Sequence, residues 1–220
     1  MRIGLFGGTF NPIHRGHLLI AEQTRDHLSL DRVLFIPSGD PPHKQTESLA
    51  PAHHRLEMVR LAIATYSHFR LTDLESRSTH KSYTVETLHT LRQQEAGELW
   101  FIVGLDAFLD FPTWKGATQL LTAANFVVIS RPGSTFTQLS ALSLLPSLPS
   151  TGLKTLDDGH ETRIEIATSS QTSLTLLRLP PCEISASVIR SRVTQGLTVS
   201  DWLPVPVQSY IIHHRLYSSY

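Results

Sequence analysis

Cysteine is almost missing from this chain. Cys182 stands alone, so no disulfide can form within it, and that usage fits a reducing compartment. Net charge is missing too, because Lys plus Arg and Asp plus Glu balance at 19 each. This argues against a broad basic footprint for DNA or RNA and leaves room for a local nucleotide pocket. No apolar run approaches the length that crosses a bilayer, and no basic-then-apolar leader opens the sequence. The expectation is a cytoplasmic protein with neither a membrane nor a nucleic-acid partner. Two phosphate-binding signatures are also absent. Without GxxxxGK(S/T) a P-loop is unsupported, and without GxGxxG a dinucleotide-dependent dehydrogenase is a weak reading.

What is present starts at Arg2–His17, RIGLFGGTFNPIHRGH. Ile3 to Phe6 read as a buried strand, Gly7, Gly8, Asn11 and Pro12 break regular structure, and Gly16–His17 open a helix. A strand, a glycine turn and a helix N-terminus form an anion site, since backbone N–H groups and the helix dipole face the turn. His14 and His17, three apart, can lean over the same bound group. Zinc is the competing reading of that pair, but the sequence supplies no cysteine cluster and no third ligand at metal spacing. Cys182 has no obvious base beside it and reads as a packing residue.

Further strands are expected at Arg32–Pro37, Phe69–Leu74, Leu99–Val103, Asn125–Ser130, Ile164–Ala167 and Leu174–Leu179. Helices are expected at Pro51–Tyr66, Tyr83–Gln94, Ile184–Arg190 and onward to Gly196, and Val205–Leu216. Ser82 or Thr84 is expected to cap the second of these helices, and Ser185 the third. Strands alternating with helices imply an α/β chain with a doubly wound parallel sheet, helices on both faces and a C-terminal helical segment. The length of 220 residues suits one domain over 1–220, with residues 134–159, rich in Ser, Thr, Leu and Pro, as a variable connector or surface elaboration.

Ligands of such sheets bind beyond the carboxyl ends of the strands. The loop SGDPPHKQTES, with His43 and Lys44, lies there, as do Gly104 and Asp106. Asp106 suits either a ribose hydroxyl or a helix cap. Trp114 suits either stacking on a flat ring or packing. In ISASVIR, Ser187 and Arg190 share a helix face and offer a second polyanion grip, or ordinary capping. Two anion sites at two helix N-termini suit a triphosphate lying between them.

GGTFNPIHRGH resembles the GxFxPxHxGH signature of the nucleotidyltransferase superfamily, and ISASVIR resembles its ISxSxxR partner. The order GGTFNPIHRGH, IPSGDPPHK, KSYT, VGLDAF, FPTW and SRPG is similar to that of bacterial nicotinate-nucleotide adenylyltransferases, failing mainly between Ser134 and Gly159. Two positions depart from it: Asn11 stands where many members have Asp, and Lys44 where many have Arg. Lys44 keeps the charge and loses the bidentate fork.

The resemblance implies a Rossmann-like fold. It also implies transfer of the adenylyl group of ATP to nicotinate mononucleotide, giving nicotinate adenine dinucleotide and pyrophosphate without a covalent enzyme intermediate. By the same resemblance, Gly8, Thr9, Phe10, His14, His17, Asp106, Ser185, Ser187 and Arg190 bind ATP, and His14, His17 and Arg190 carry the catalysis. Thr9, Ser38, His43, Lys44, Tyr83, Thr84, Trp114, Lys115 and Arg131 line the mononucleotide pocket. Magnesium rides on the phosphates, and the protein is a monomer or small homo-oligomer. Rival acceptors are the amide mononucleotide and phosphopantetheine. A non-catalytic nucleotide sensor is the rival of another class.

Overall fold

The computed structural model describes residues 1–39, 49–78, 81–169 and 171–218. His43 and Lys44 therefore lie outside the described residues.

The sheet is organised from its first strand. β1 (Arg2–Gly8) is followed by α1 (Arg15–Leu28), β2 (Arg32–Pro37), α2 (Ala52–Ile63) and β3 (Phe69–Leu71). Then come α3 (Thr84–Gln94), β4 (Glu98–Gly104), the short α4 (Leu105–Phe108), α5 (Ala117–Ala123) and β5 (Asn125–Ile129). α6 (Ser150–Asp157), β6 (Arg163–Ala167), β7 (Ser173–Leu177), α7 (Ala186–Thr194) and α8 (Val205–His213) complete the order. The spatial sequence of strands is β3-β2-β1-β4-β5-β7-β6. β1 pairs in parallel with both β2 and β4, with Gly8 opposite Pro37 and Phe6 opposite Ile102. The winding direction reverses at β1, which opens a crevice at its carboxyl end.

Period-two alternation sends the strand side chains into two cores. Phe6, Val33, Phe35, Ile102 and Val127 face one side, where they meet side chains of α1, α2, α7 and α8. Ile3, Leu5, Leu34, Ile36, Phe101 and Val103 face the other, against α3, α5 and α6. With both faces covered, nearly every position of the central strands is apolar and buried.

Three expectations need correction. The sheet is not wholly parallel, because β6 runs antiparallel to β7. Only residues 168–172 separate those two strands, too few for the crossover a parallel pair needs. Neither Ser82 nor Thr84 caps α3: the capping position is Tyr83, with no side-chain bond to the helix start. The segment 134–159 does more than decorate the surface. Phe136, Leu139, Leu153 and Leu156 are fully buried, and the Asp157 carboxylate accepts the N–H groups of Phe136 and Thr137. Its apolar residues fall too irregularly for periodicity to show which ones turn inward.

Candidate active site

The β1–α1 turn carries the densest chemistry. Arg55, from α2, holds it from beneath. This side chain is only 1 % exposed, yet its donors reach the carbonyls of Thr9 (2.8 Å), Ser38 (2.7 Å), Ala50 (2.9 Å) and Gly39. Those carbonyls come from the turn after β1 and from the stretches before and after residues 40–48. One guanidinium therefore fixes the floor shared by the two expected substrate regions. The Ser38 N–H donates to the Gly8 carbonyl (2.9 Å), which continues the β1–β2 ladder into the loop.

Phe10, at φ 47°, is held in the left-handed region, and the tip of its ring lies beside Gly8, 3.0 Å from where a Cβ would stand there. It is buried and meets the His17 imidazole edge-on, with centroids 5.1 Å apart. Phe10 thus props a histidine and covers a strand end. His14 and His17 stack, with centroids 3.7 Å apart and an interplanar angle of 24°. The His14 backbone N–H donates to His17 Nδ1 at 3.2 Å, so a neutral His17 carries its proton on Nε2. His14 is 3 % exposed. Burial, with help from the positive charge of Arg131, lowers its pKa to about 3. Without a ligand His14 is therefore a neutral imidazole at physiological pH. Its Nδ1 is buried without a partner among the described residues, facing Gly16 alongside the Cys182 sulfur. A Cβ at Gly16 would lie 2.7 Å from that sulfur, so only glycine fits there. Cys182 packs, as expected.

Not every N–H at the start of α1 is available to an anion. Arg15 N–H donates to the Trp202 carbonyl at 2.8 Å. The helix also begins at Arg15, one residue earlier than the spacing suggested.

The second motif meets the first directly. Arg190 Nη1 on α7 donates to the Asn11 carbonyl at 2.9 Å across 179 residues of sequence. Ser185 occupies the capping position of α7 but makes no side-chain cap bond. Its hydroxyl lies 2.7 Å from that of Ser187 instead, which leaves two linked hydroxyls at the helix start. Asn11 Oδ1 accepts from the Ala50 N–H (3.1 Å) and the Tyr217 hydroxyl (2.7 Å), bonds that an Asp carboxylate oxygen also accepts.

Along the rim, Asp106 lies in the first turn of α4, and its Oδ1 is 3.5 Å from Arg131 Nε. The capping position there is Gly104, with no side-chain bond, so Asp106 is not the cap. Its side chain is 59 % exposed and open to a ligand hydroxyl. A Cβ at Gly104 would come within 2.6 Å of Asp106 Oδ1 and 3.1 Å of Arg131 Nε, so glycine leaves room for the pair. Arg131 lies beside Asp106 and acts on His14. That groups it with the residues expected to hold ATP, whereas the sequence put it in the mononucleotide pocket.

The remaining expected residues form a separate group. Lys115 Nζ lies 2.7 Å from Glu86 Oε1 and 4.3 Å from the centre of the Tyr83 ring. That carboxylate raises the affinity of Lys115 for its proton. Trp114 is half-buried and packs on Phe111 and Phe101 at 5.4 and 6.3 Å. Its free side borders an open groove of about 560 Å³ lined also by Pro112, Gly116 and Leu144. Thr84 begins α3 beside Tyr83. Behind them Thr87 donates to Glu75 (2.7 Å), whose burial raises its carboxyl pKa. Sequence reasoning missed Arg55 and Tyr217, because one of the two arginines in HHRLEMVR and a tyrosine in RLYSS carry no periodic or motif signal.

The cytidylyltransferase-like family profile matches residues 5–192. The chain is 41 % identical over 219 residues to a protein of Geobacter metallireducens named probable nicotinate-nucleotide adenylyltransferase, covering 99 % of each chain. It is 39 % identical over 215 residues to one of the same name from Roseiflexus, covering 98 % of this chain and 97 % of that one. Among solved structures, it superimposes on Plasmodium falciparum nicotinic acid mononucleotide adenylyltransferase complexed with NaAD at a TM-score of 0.71. That match covers 98 % of this chain and 97 % of the other at 21 % identity, a likeness of fold.

Proposed function

This chain belongs to the nicotinate-nucleotide adenylyltransferases of the cytidylyltransferase-like family, and we propose that it transfers the adenylyl group of ATP to nicotinate mononucleotide. The observation that carries this reading is the Arg190–Asn11 bond. It joins the ISASVIR helix to the histidine turn, so that two polyanion-binding elements share one rigid crevice. A phosphate oxygen of the mononucleotide attacks the α-phosphorus of ATP as the bond to the β-phosphate bridging oxygen breaks, and pyrophosphate leaves with that electron pair. The nucleophile is already ionised, so no general base is required, and catalysis rests on positioning and charge stabilisation.

In this reading the Nε2–H of His17 donates to the α-phosphate where charge grows. His14 supports it as a neutral stacked partner that also donates to phosphate. Ser185, Ser187 and Arg190 hold the departing β- and γ-phosphates, with Gly8 and Thr9 giving close backbone approach. Phe10 serves the ATP side by bracing His17. Asp106 receives the ribose hydroxyls, and we assign Arg131 to the ATP side with it. Ser38, Tyr83, Thr84, Trp114 and Lys115, with His43 and Lys44, form the acceptor pocket. There the Trp114 indole meets the pyridine ring, and backbone N–H groups near Lys115 receive the carboxylate. Donors alone reject the amide, whose NH₂ has nothing to accept its hydrogens.

Among the described residues no three His, Cys, Asp or Glu side chains converge on a metal position, and Asp106 is engaged by Arg131. That donor set suits a magnesium ion carried by the substrate phosphates, where it would offset their charge.

The test is pyrophosphate release from ATP and magnesium with each mononucleotide in turn. Turnover should require a pyridine mononucleotide and strongly prefer the acid. Equal rates with the amide would remove the acid-specific claim, while ATP binding without turnover on either would favour a sensor.

A further inference from the structure

Four residues close a ring behind the phosphate crevice. Arg190 Nη1 donates to the Asn11 carbonyl (2.9 Å). Asn11 Oδ1 accepts from the Tyr217 hydroxyl (2.7 Å). The Tyr217 carbonyl accepts from Thr194 Oγ1 (2.7 Å), which also lies 3.0 Å from the Arg190 carbonyl one turn earlier on α7. The ring therefore runs from the histidine turn through α7 to residue 217 and back.

We propose that Tyr217 is a positioning residue that sets the Arg190 guanidinium for the leaving pyrophosphate. The inference rests on the reading of Arg190 given above and adds a residue that neither motif contains. Three features support it. Tyr217 is mostly buried, and burial raises its pKa strongly, so its hydroxyl stays protonated and is a dependable donor. Its backbone sits at φ 64°, a conformation that a bulky residue keeps only where its surroundings fix it. Arg190 Nε is buried with no hydrogen-bond partner among the described residues, so the Asn11 contact does much of the aiming of its planar fork. Tyr217, together with the Ala50 N–H, holds the side chain of Asn11 while Arg190 reads its carbonyl, and a shift of that one residue carries the guanidinium with it.

The experiment measures binding of magnesium pyrophosphate and of a non-hydrolysable ATP analogue by calorimetry, alongside steady-state kinetics. A hydrogen bond of this kind contributes about 1 kcal/mol, equivalent to roughly fivefold in affinity. Tyr217→Phe should weaken pyrophosphate binding and lower kcat by about that factor, with the mononucleotide KM unchanged. Thr194→Val, which cuts the ring elsewhere, should act in the same direction. In an Arg190→Lys background, Tyr217→Phe should have no further effect on pyrophosphate affinity.

Unchanged pyrophosphate affinity in Tyr217→Phe would overturn the proposal. So would an equal loss in the Arg190→Lys background, or a matching rise in the mononucleotide KM. Because pyrophosphate binding needs no turnover, its response as expected in a protein that adenylates neither mononucleotide would count against the activity alone.

Discussion

On the side of the crevice where α1 and α7 meet β1, internal bonds and buried rings fix the key side chains: His17 by the backbone of His14, Arg190 by Asn11 and the turn itself by Arg55. Around Tyr83 and Lys115 the contacts are exposed, an ion pair and a cation over a ring, with Trp114 bordering an open groove. The contrast follows the chemistry proposed for each side. Stabilising charge as it develops requires donors already in place, since reorganisation at the moment of reaction would forfeit the gain. Recognising a flat ring and its carboxylate tolerates adjustment on binding.

The largest test of that contrast is His17→Ala. Removing a preorganised donor should lower kcat by on the order of 10²-fold or more. A rise in KM with kcat intact would instead mean uniform binding and dissolve the distinction between the two sides.

Next in size is acid sensitivity. His14 has a folded pKa of about 3 against an ordinary 6.5, so the unfolded chain takes up a proton that the native state refuses. The stability contributed by keeping His14 neutral is complete above pH 6.5 and is lost progressively as pH falls towards 3. Denaturant midpoints measured across that window should fall more steeply for the native protein than for His14→Asn. Parallel curves would show that His14 is not desolvated as described.

Trp114→Ala should raise the mononucleotide KM by about tenfold, the scale of one lost aromatic contact, and leave ATP binding nearly unchanged. A selective loss of ATP affinity would move Trp114 to the other side of the comparison. The smallest effect is expected for Lys115→Met. Its ion pair with Glu86 is exposed, and pairs of that kind contribute little once screened by solvent, so thermal stability should barely change.

Strands and motifs were legible because apolar runs and Gly or Pro punctuation report buried strands and the turns that follow them. Arg32–Pro37 and the alternating faces of Val33 to Ile36 are examples. The antiparallel β6 was also within reach, since the interval 168–172 is short. The role of Asn11 could be read only from its partners, Ala50 and Tyr217, because tertiary structure alone brings them to it. Arg55 is the sharpest case. An arginine on an amphipathic helix reads as a surface charge, and its burial depends on carbonyls from three separate stretches. The closeness of Arg131 to Asp106 was not legible either, because the two follow different strands, β5 and β4.

The bond from Asn11 to Tyr217 spans 206 residues, and that distance has a meaning in time as well as in space. During synthesis, at about 5–20 residues per second, Tyr217 is added roughly ten to forty seconds after the histidine turn. Until then Asn11 lacks one of its partners and Arg190 lacks its backing. A nascent chain can therefore carry both phosphate-binding motifs without the fully braced crevice, which is completed only when Tyr217 meets an asparagine made 206 residues earlier.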